Sequence, residues 1–139
     1  MSAWVLDASV ALAWGLPDEQ SKAATEFLGR LRADDMFWIP ALWWYEISNA
    51  LSVARRRHRV AEAETARLVE LYGALPVQTD PMLGREALVR LTALAARHGL
   101  AAYDAAYLEL ALRRGIGLAT LDDAQARAAT ADGVPLALP

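Results

Sequence analysis

Short apolar runs alternate with longer stretches of helical periodicity along the whole chain, and no other feature constrains the fold as tightly. The runs 3–6 (AWVL), 36–39 (MFWI), 75–79 (LPVQT), 116–120 (IGLAT) and 134–138 read as strands. Between them, residues 9–15, 18–33, 40–57, 60–73, 81–98, 102–114 and 122–131 read as helices. Within 18–33, for example, Ala23, Ala24, Phe27, Leu28 and Leu31 fall on one face. Pro40 suits the first turn of the helix it opens, and Asp80–Pro81 reads as an N-cap followed by a first-turn proline. Gly99 and Gly115 stand where a left-handed residue ends a helix. Strands joined through helices require right-handed crossovers and a sheet covered on both faces. The expectation is an α/β protein: one domain over residues 1–139, with a mostly parallel central sheet of about five strands flanked by helices on both faces.

Composition narrows the chemistry. The chain has 139 residues, 55% of them hydrophobic, which is enough for a core without disulfides. It has no cysteine, so thiolate zinc sites and cysteine nucleophiles are excluded. His58 and His98 have no partner at ligand spacing, and Lys22, the single lysine, lies in no phosphate loop. No apolar stretch approaches the ~18–20 residues of a membrane span, and no basic segment precedes an apolar run at the N-terminus. A soluble cytoplasmic protein with no membrane partner is expected. A net charge of −3 offers no global basic field for nucleic acid, so an RNA ligand would need a local patch or bound cations.

Four carboxylates stand in apolar surroundings. Asp7 lies in WVLDASVALAW, where Ser9 is the only polar neighbour within four positions. Glu46 lies in PALWWYEISNALSVA, with Leu42, Trp43, Asn49 and Ala50 on its face. Asp104 shares its helix face with Ala101, Leu108 and Ala111, whereas Glu109 falls away from that face and reads as the solvated residue. Asp122 follows the IGLAT run within two residues. A lone carboxylate in an apolar setting costs several kcal/mol, of order 3–5, unless it is paired. Few basic residues share these segments, and a divalent cation with hard oxygen ligands would supply the missing charge. Asp7 and Asp122 follow strands directly, and strand C-termini of a parallel sheet line the edge where such proteins bind ligands. The alternative for Asp7 and Asp122 is helix capping, which does not exclude metal binding; for Glu46 it is a surface helix position.

With these residues identified, the chain resembles the PIN-domain family of metal-dependent ribonucleases, in particular the VapC-like toxins of type II toxin–antitoxin modules. WVLDASVALAW resembles the first motif, with Asp7 as first acid and Ser9 its hydroxyl; IPALWWYEISNAL resembles the second, with Glu46 and Asn49. GLAAYDAAYLELA resembles the third, with Asp104, and GLATLDDAQARAA the fourth, with Thr120 and Asp122 in T-x-D slots and Asp123 as the adjoining candidate. The resemblance implies a Mg2+ cofactor, with Mn2+ as substitute, and cleavage of RNA by metal-activated water. It implies Asp7, Asp104 and Asp122 as metal ligands, with Glu46 completing the catalytic set and Ser9, Asn49 and Thr120 supporting it. It also implies a cognate antitoxin and a homodimer. A non-catalytic PIN-fold binding module and a metal-dependent DNA nuclease are the alternatives. The run Arg55–Arg57 reads either as an RNA phosphate contact or as favourable charge at a helix C-terminus. Of the adjacent Trp43 and Trp44, one is expected in the core and one at an interface, while Trp4, Trp14 and Trp38 are expected to be structural.

Overall fold

Four parallel strands organise the molecule: β1 (Ala3–Leu6), β2 (Met36–Pro40), β3 (Val77–Asp80) and β4 (Gly117–Ala119), side by side in the order β3-β2-β1-β4. The structure is a computed structural model and describes residues 2–139. Helices α1 (Ala8–Gly15) and α2 (Lys22–Arg30) connect β1 to β2; α3 (Leu42–Arg56) and α4 (Glu62–Gly73) connect β2 to β3. Helices α5 (Gly84–His98) and α6 (Ala102–Arg114) carry the chain back across the sheet to β4, and α7 (Asp123–Ala131) follows. Val5 pairs with Trp38 on one side and Leu118 on the other. The chain therefore leaves β1 in one direction and returns on its other side, which makes the β1–β4 boundary the switch point where open α/β sheets bind ligands.

Burial shows that β1 and β4 are covered on both faces, although β4 ends the row of strands. Val5, Leu6, Leu118 and Ala119 are fully buried in consecutive positions, as strands covered on both faces must be. Each fully buried Leu or Ile, such as Leu6, Ile39 or Leu118, contributes roughly 1.5–3 kcal/mol. A Cβ at Gly117 would overlap the Trp4 ring, so glycine allows β4 to approach β1 with that indole between them. Trp4 and Trp14 both pack on Phe27, with ring centroids 5.9 and 6.3 Å away, and Trp38 lies under the Arg114 guanidinium at 3.3 Å. All three serve the packing expected of them.

Several expectations need correction. The sheet has four strands among the described residues, not about five. Residues 134–138 form only a single parallel bridge, Leu118 to Leu136, because Pro135 has no N–H to extend a ladder. That segment still occupies the edge of β4, accepting from Leu118 N through Pro135 O at 2.9 Å. The helix expected over 18–33 is shorter: a 3-10 turn, Pro17–Glu19, precedes it, and Ser21 caps α2 by accepting from Ala24 N at 3.2 Å. Pro40 ends β2 rather than opening a helix; β1 pairing stops at Trp38, so no ladder bond is asked of its missing N–H. Asp80 is no cap. It ends β3, and α5 starts at Gly84. Its buried carboxylate meets Arg113 Nη1 and Nη2 at 2.9 and 2.7 Å and Arg114 Nη2 at 3.2 Å. Glu109 is likewise not solvated: it is 6% exposed and paired with Arg113 at 2.7 Å. Helix α6 is buried on every side from Ala105 to Ala111, so its periodicity does not identify a wet face. Gly99 and Gly115 end α5 and α6 with φ of 66° and 65°.

Candidate active site

The C-terminal ends of β1 and β4 lie side by side, joined by Asp7 N–H donating to Ala119 O at 2.9 Å. Asp7 occupies the N-cap position of α1 but makes no capping bond with its side chain. Its Oδ2 instead accepts from Ser9 Oγ at 2.5 Å and Thr120 Oγ1 at 2.8 Å. Each hydroxyl accepts in turn from the loop after β4: Ser9 Oγ from Leu121 N at 3.0 Å and Thr120 Oγ1 from Asp122 N at 3.0 Å. Two short hydroxyl side chains thus tie the carboxylate to both strand ends and leave it 5% exposed.

The other acids approach from three helices. Glu46 lies on the second turn of α3 and accepts from Tyr107 Oη, which reaches it from α6. Asp104 lies on the first turn of α6 and accepts from Gln125 Nε2 at 3.2 Å. Asp122 is the N-cap of α7, its Oδ1 accepting from Gln125 N at 2.8 Å. Capping and proximity to the other acids therefore coexist at Asp122. Asp7, Ser9, Glu46, Asn49, Asp104 and Asp122 line one cavity of ≈ 500 Å³. Asp123 is exposed and lies outside that lining. Thr120 is buried behind Asp7. Arg55–Arg57 are exposed at the far end of α3, with Arg55 paired to Glu62 at 3.1 Å. Arg59 binds Asp18 at 2.6 Å, next to Glu19, which lines the cavity mouth.

Electrostatics within the cavity are unfavourable for the free acids. Burial raises the Asp7 carboxyl above its ordinary value despite bonds from Ser9, Thr120 and Gln125, and the Asp104 charge adds to the rise. Burial also raises Glu46; Tyr107 opposes this, and the charges of Asp7 and Asp104 reinforce it. Tyr107 is pushed well above the usual phenol range, first by burial and then by Asp7 and Glu46, so it stays protonated and donates. Among the described residues, no three His, Asp or Glu side chains close into a ready-made ligand cage. The donor set is all oxygen, and it suits a hard cation held directly by one or two carboxylates with water completing the shell, the usual habit of Mg2+.

Tyr107, Gln125 and Glu19 were not singled out from the sequence. Tyr107 sits three residues after Asp104 on α6, a spacing that returns it to the same side, and this was the available signal. Gln125 carried none, because a helical glutamine ordinarily reads as solvated; here it is 1% exposed. Elsewhere, Trp43 is fully buried while Trp44 is 38% exposed and borders an apolar groove of ≈ 320 Å³ between α3 and α4. No helix among the described residues is long and apolar enough to cross a membrane.

Comparison with known proteins gives a consistent picture. The PIN domain family profile matches residues 4–131. A Pyrobaculum aerophilum protein named Ribonuclease VapC3 is 33% identical over 122 residues, covering 85% of this chain and 88% of that one. The crystal structure of PAE2754, also from Pyrobaculum aerophilum, superposes with a TM-score of 0.66 at 27% identity, covering 98% of this chain and 84% of that chain. A toxin–antitoxin complex from Klebsiella pneumoniae shares the fold, with a TM-score of 0.57 at 16% identity over 88% of this chain and 87% of that chain.

Proposed function

The chain belongs to the PIN-domain family, and from that premise we propose that it is a magnesium-dependent endoribonuclease, the toxin of a type II toxin–antitoxin module. One observation carries the reading: Asp7, Glu46, Asp104 and Asp122 come from four separate elements to one cavity at the switch point of the sheet. The name of the VapC3 relative supports RNA as substrate, and the Klebsiella complex supports an antitoxin partner.

Asp7 and Asp104 would hold Mg2+, or Mn2+ in its place, with Asp122 available in the same cavity. Held there, such an ion would neutralise charge at the scissile phosphate and make water a stronger nucleophile near neutral pH. Ser9 and Thr120 hold the Asp7 carboxylate in one orientation. Glu46, with its proton affinity raised by burial and by its acidic neighbours, orients the attacking water and accepts its proton while Tyr107 fixes the carboxylate. Asn49 lines the cavity beside Glu46 and is a polar contact for substrate or solvent. Arg55, Arg56 and Arg57 extend a basic end from the same helix for RNA phosphates. The apolar groove beside Trp44 suits a segment of the antitoxin. Helix α5, which buries none of its residues and exposes Leu88 and Val89, suits a second copy of the chain.

The test is incubation of total RNA with purified, antitoxin-free protein in Mg2+, in EDTA, and with Asp104→Asn as control. Discrete fragments that require both metal and Asp104 are expected. Cleavage by Asp104→Asn at the wild-type rate would refute the site. Folded protein inert toward RNA would leave a binding module, or a DNA nuclease if single- or double-stranded DNA is cut instead.

A further inference from the structure

Gln125 stands where three of the four acids can be reached at once. Its backbone N–H donates to the capping Asp122 Oδ1 at 2.8 Å, and its side-chain Nε2 donates to Asp104 Oδ1 at 3.2 Å. The same amide is near enough to Asp7 to oppose the rise that burial imposes on that carboxyl. The side chain is 1% exposed, and its Oε1 is buried with no hydrogen-bond partner. That orphaned oxygen fixes the sense of the amide. Turning it over would aim Oε1 at carboxylates that can only accept, and would leave two N–H donors unpaired in its place. The fold tolerates an unsatisfied carbonyl while presenting an NH2 group to Asp104.

We infer that Gln125 is a positioning residue for the metal centre: its neutral amide holds the Asp104 carboxylate in an orientation, beside Asp7, ready for a divalent cation. Neutrality matters here. An arginine or lysine in this place would pair with the acids and compete with the ion, whereas an apolar side chain would leave two repelling carboxylates with no donor on that side. An amide orders Asp104 and cancels neither charge. Because the backbone N–H of the same residue donates to Asp122, the arrangement extends to another acid of the cavity. This inference rests on reading the cavity as a metal site.

The experiment is calorimetric titration of Mn2+ into wild type and Gln125→Met, a substitution close in volume that removes both the donor and the orphaned acceptor. Thermal melts in EDTA report the fold. Mn2+ affinity is expected to fall about 10- to 100-fold while the metal-free melt stays cooperative. A folded Gln125→Met with wild-type Mn2+ affinity would overturn the role of Gln125 and leave the metal centre standing. Wild type that binds neither Mn2+ nor Mg2+ would overturn both. If Gln125→Met does not fold, Mg2+ titration of 15N-labelled wild type decides: the Gln125 side-chain amide resonance shifts with the binding isotherm if the inference holds, and stays fixed if it does not.

Discussion

Replacing Asp7 by Asn should stabilise the metal-free protein and abolish its response to metal. Asp7 is 5% exposed, and its carboxyl is raised first by burial and further by the Asp104 charge. At neutral pH the folded state therefore carries an electrostatic cost at this group that the unfolded chain does not. The substitution need not lose the bonds that orient the side chain. Ser9 and Thr120 both donate to the same oxygen, Oδ2, so an asparagine carbonyl placed there keeps both donors. The net gain in EDTA is expected at about 1–3 kcal/mol, the scale on which buried, poorly compensated polar groups are penalised, a rise in Tm of several degrees, roughly 3 °C or more, for a domain of this length. Metal works in the opposite direction. At 100 times its dissociation constant, Mg2+ stabilises wild type by about 2.7 kcal/mol, and a variant that does not bind gains nothing. Differential scanning calorimetry of both proteins, with EDTA and across a Mg2+ series, reads both effects. An Asp7→Asn protein that melts below wild type in EDTA, or that gains as much from Mg2+, would show that the buried charge is not what the metal relieves.

Two further outcomes follow from the polar groups around the site. Arg113 pairs with the buried Asp80 and Glu109, so Arg113→Met should destabilise by about 3 kcal/mol in urea unfolding at pH 7, the low end of the range for a broken buried pair; Arg114 at 3.2 Å and Arg90 at 3.8 Å remain as partial partners. Burial alone would raise Asp80, but Arg113, Met82 N–H and Arg114 hold it below its ordinary value. Its contribution is therefore fully present above about pH 3.9 and lost as pH falls through the lower folded value, and this acid limb should flatten in the variant. Tyr107→Phe removes the donor to Glu46 and should slow single-turnover RNA cleavage roughly tenfold, with a stability change within about 1.5 kcal/mol. An unchanged cleavage rate would leave Tyr107 as packing only.

Much of the site was legible because charge in an apolar context is conspicuous in one dimension. Asp7 and Asp104 stand out against their neighbours, and strand C-termini in a parallel sheet share an edge whatever the details of packing. Glu109 was misread because helical periodicity sorts faces only when one face is wet, and α6 is covered all round from Ala105 to Ala111. Asp80 followed by proline has the local form of a cap, and only the return of Arg113 and Arg114 from 33 and 34 residues away makes it an ion-pair acceptor. The fifth strand failed on a single residue, Pro135, whose missing N–H limits pairing with β4 to one bridge.

Local sequence determined what depends on near neighbours: the alternation of elements, the glycine stops at Gly99 and Gly115, and the strand-to-helix positions that deliver Asp7 and Asp122. Tertiary structure decided which buried polar groups would be partners. Ser9 with Thr120, Glu46 with Tyr107 and Gln125 with Asp104 are separated by 111, 61 and 21 residues, so no periodicity relates them. A buried donor or acceptor is stabilised by whichever partner the packed fold brings within about 3 Å, and that choice is made by the crossing of helices over the sheet.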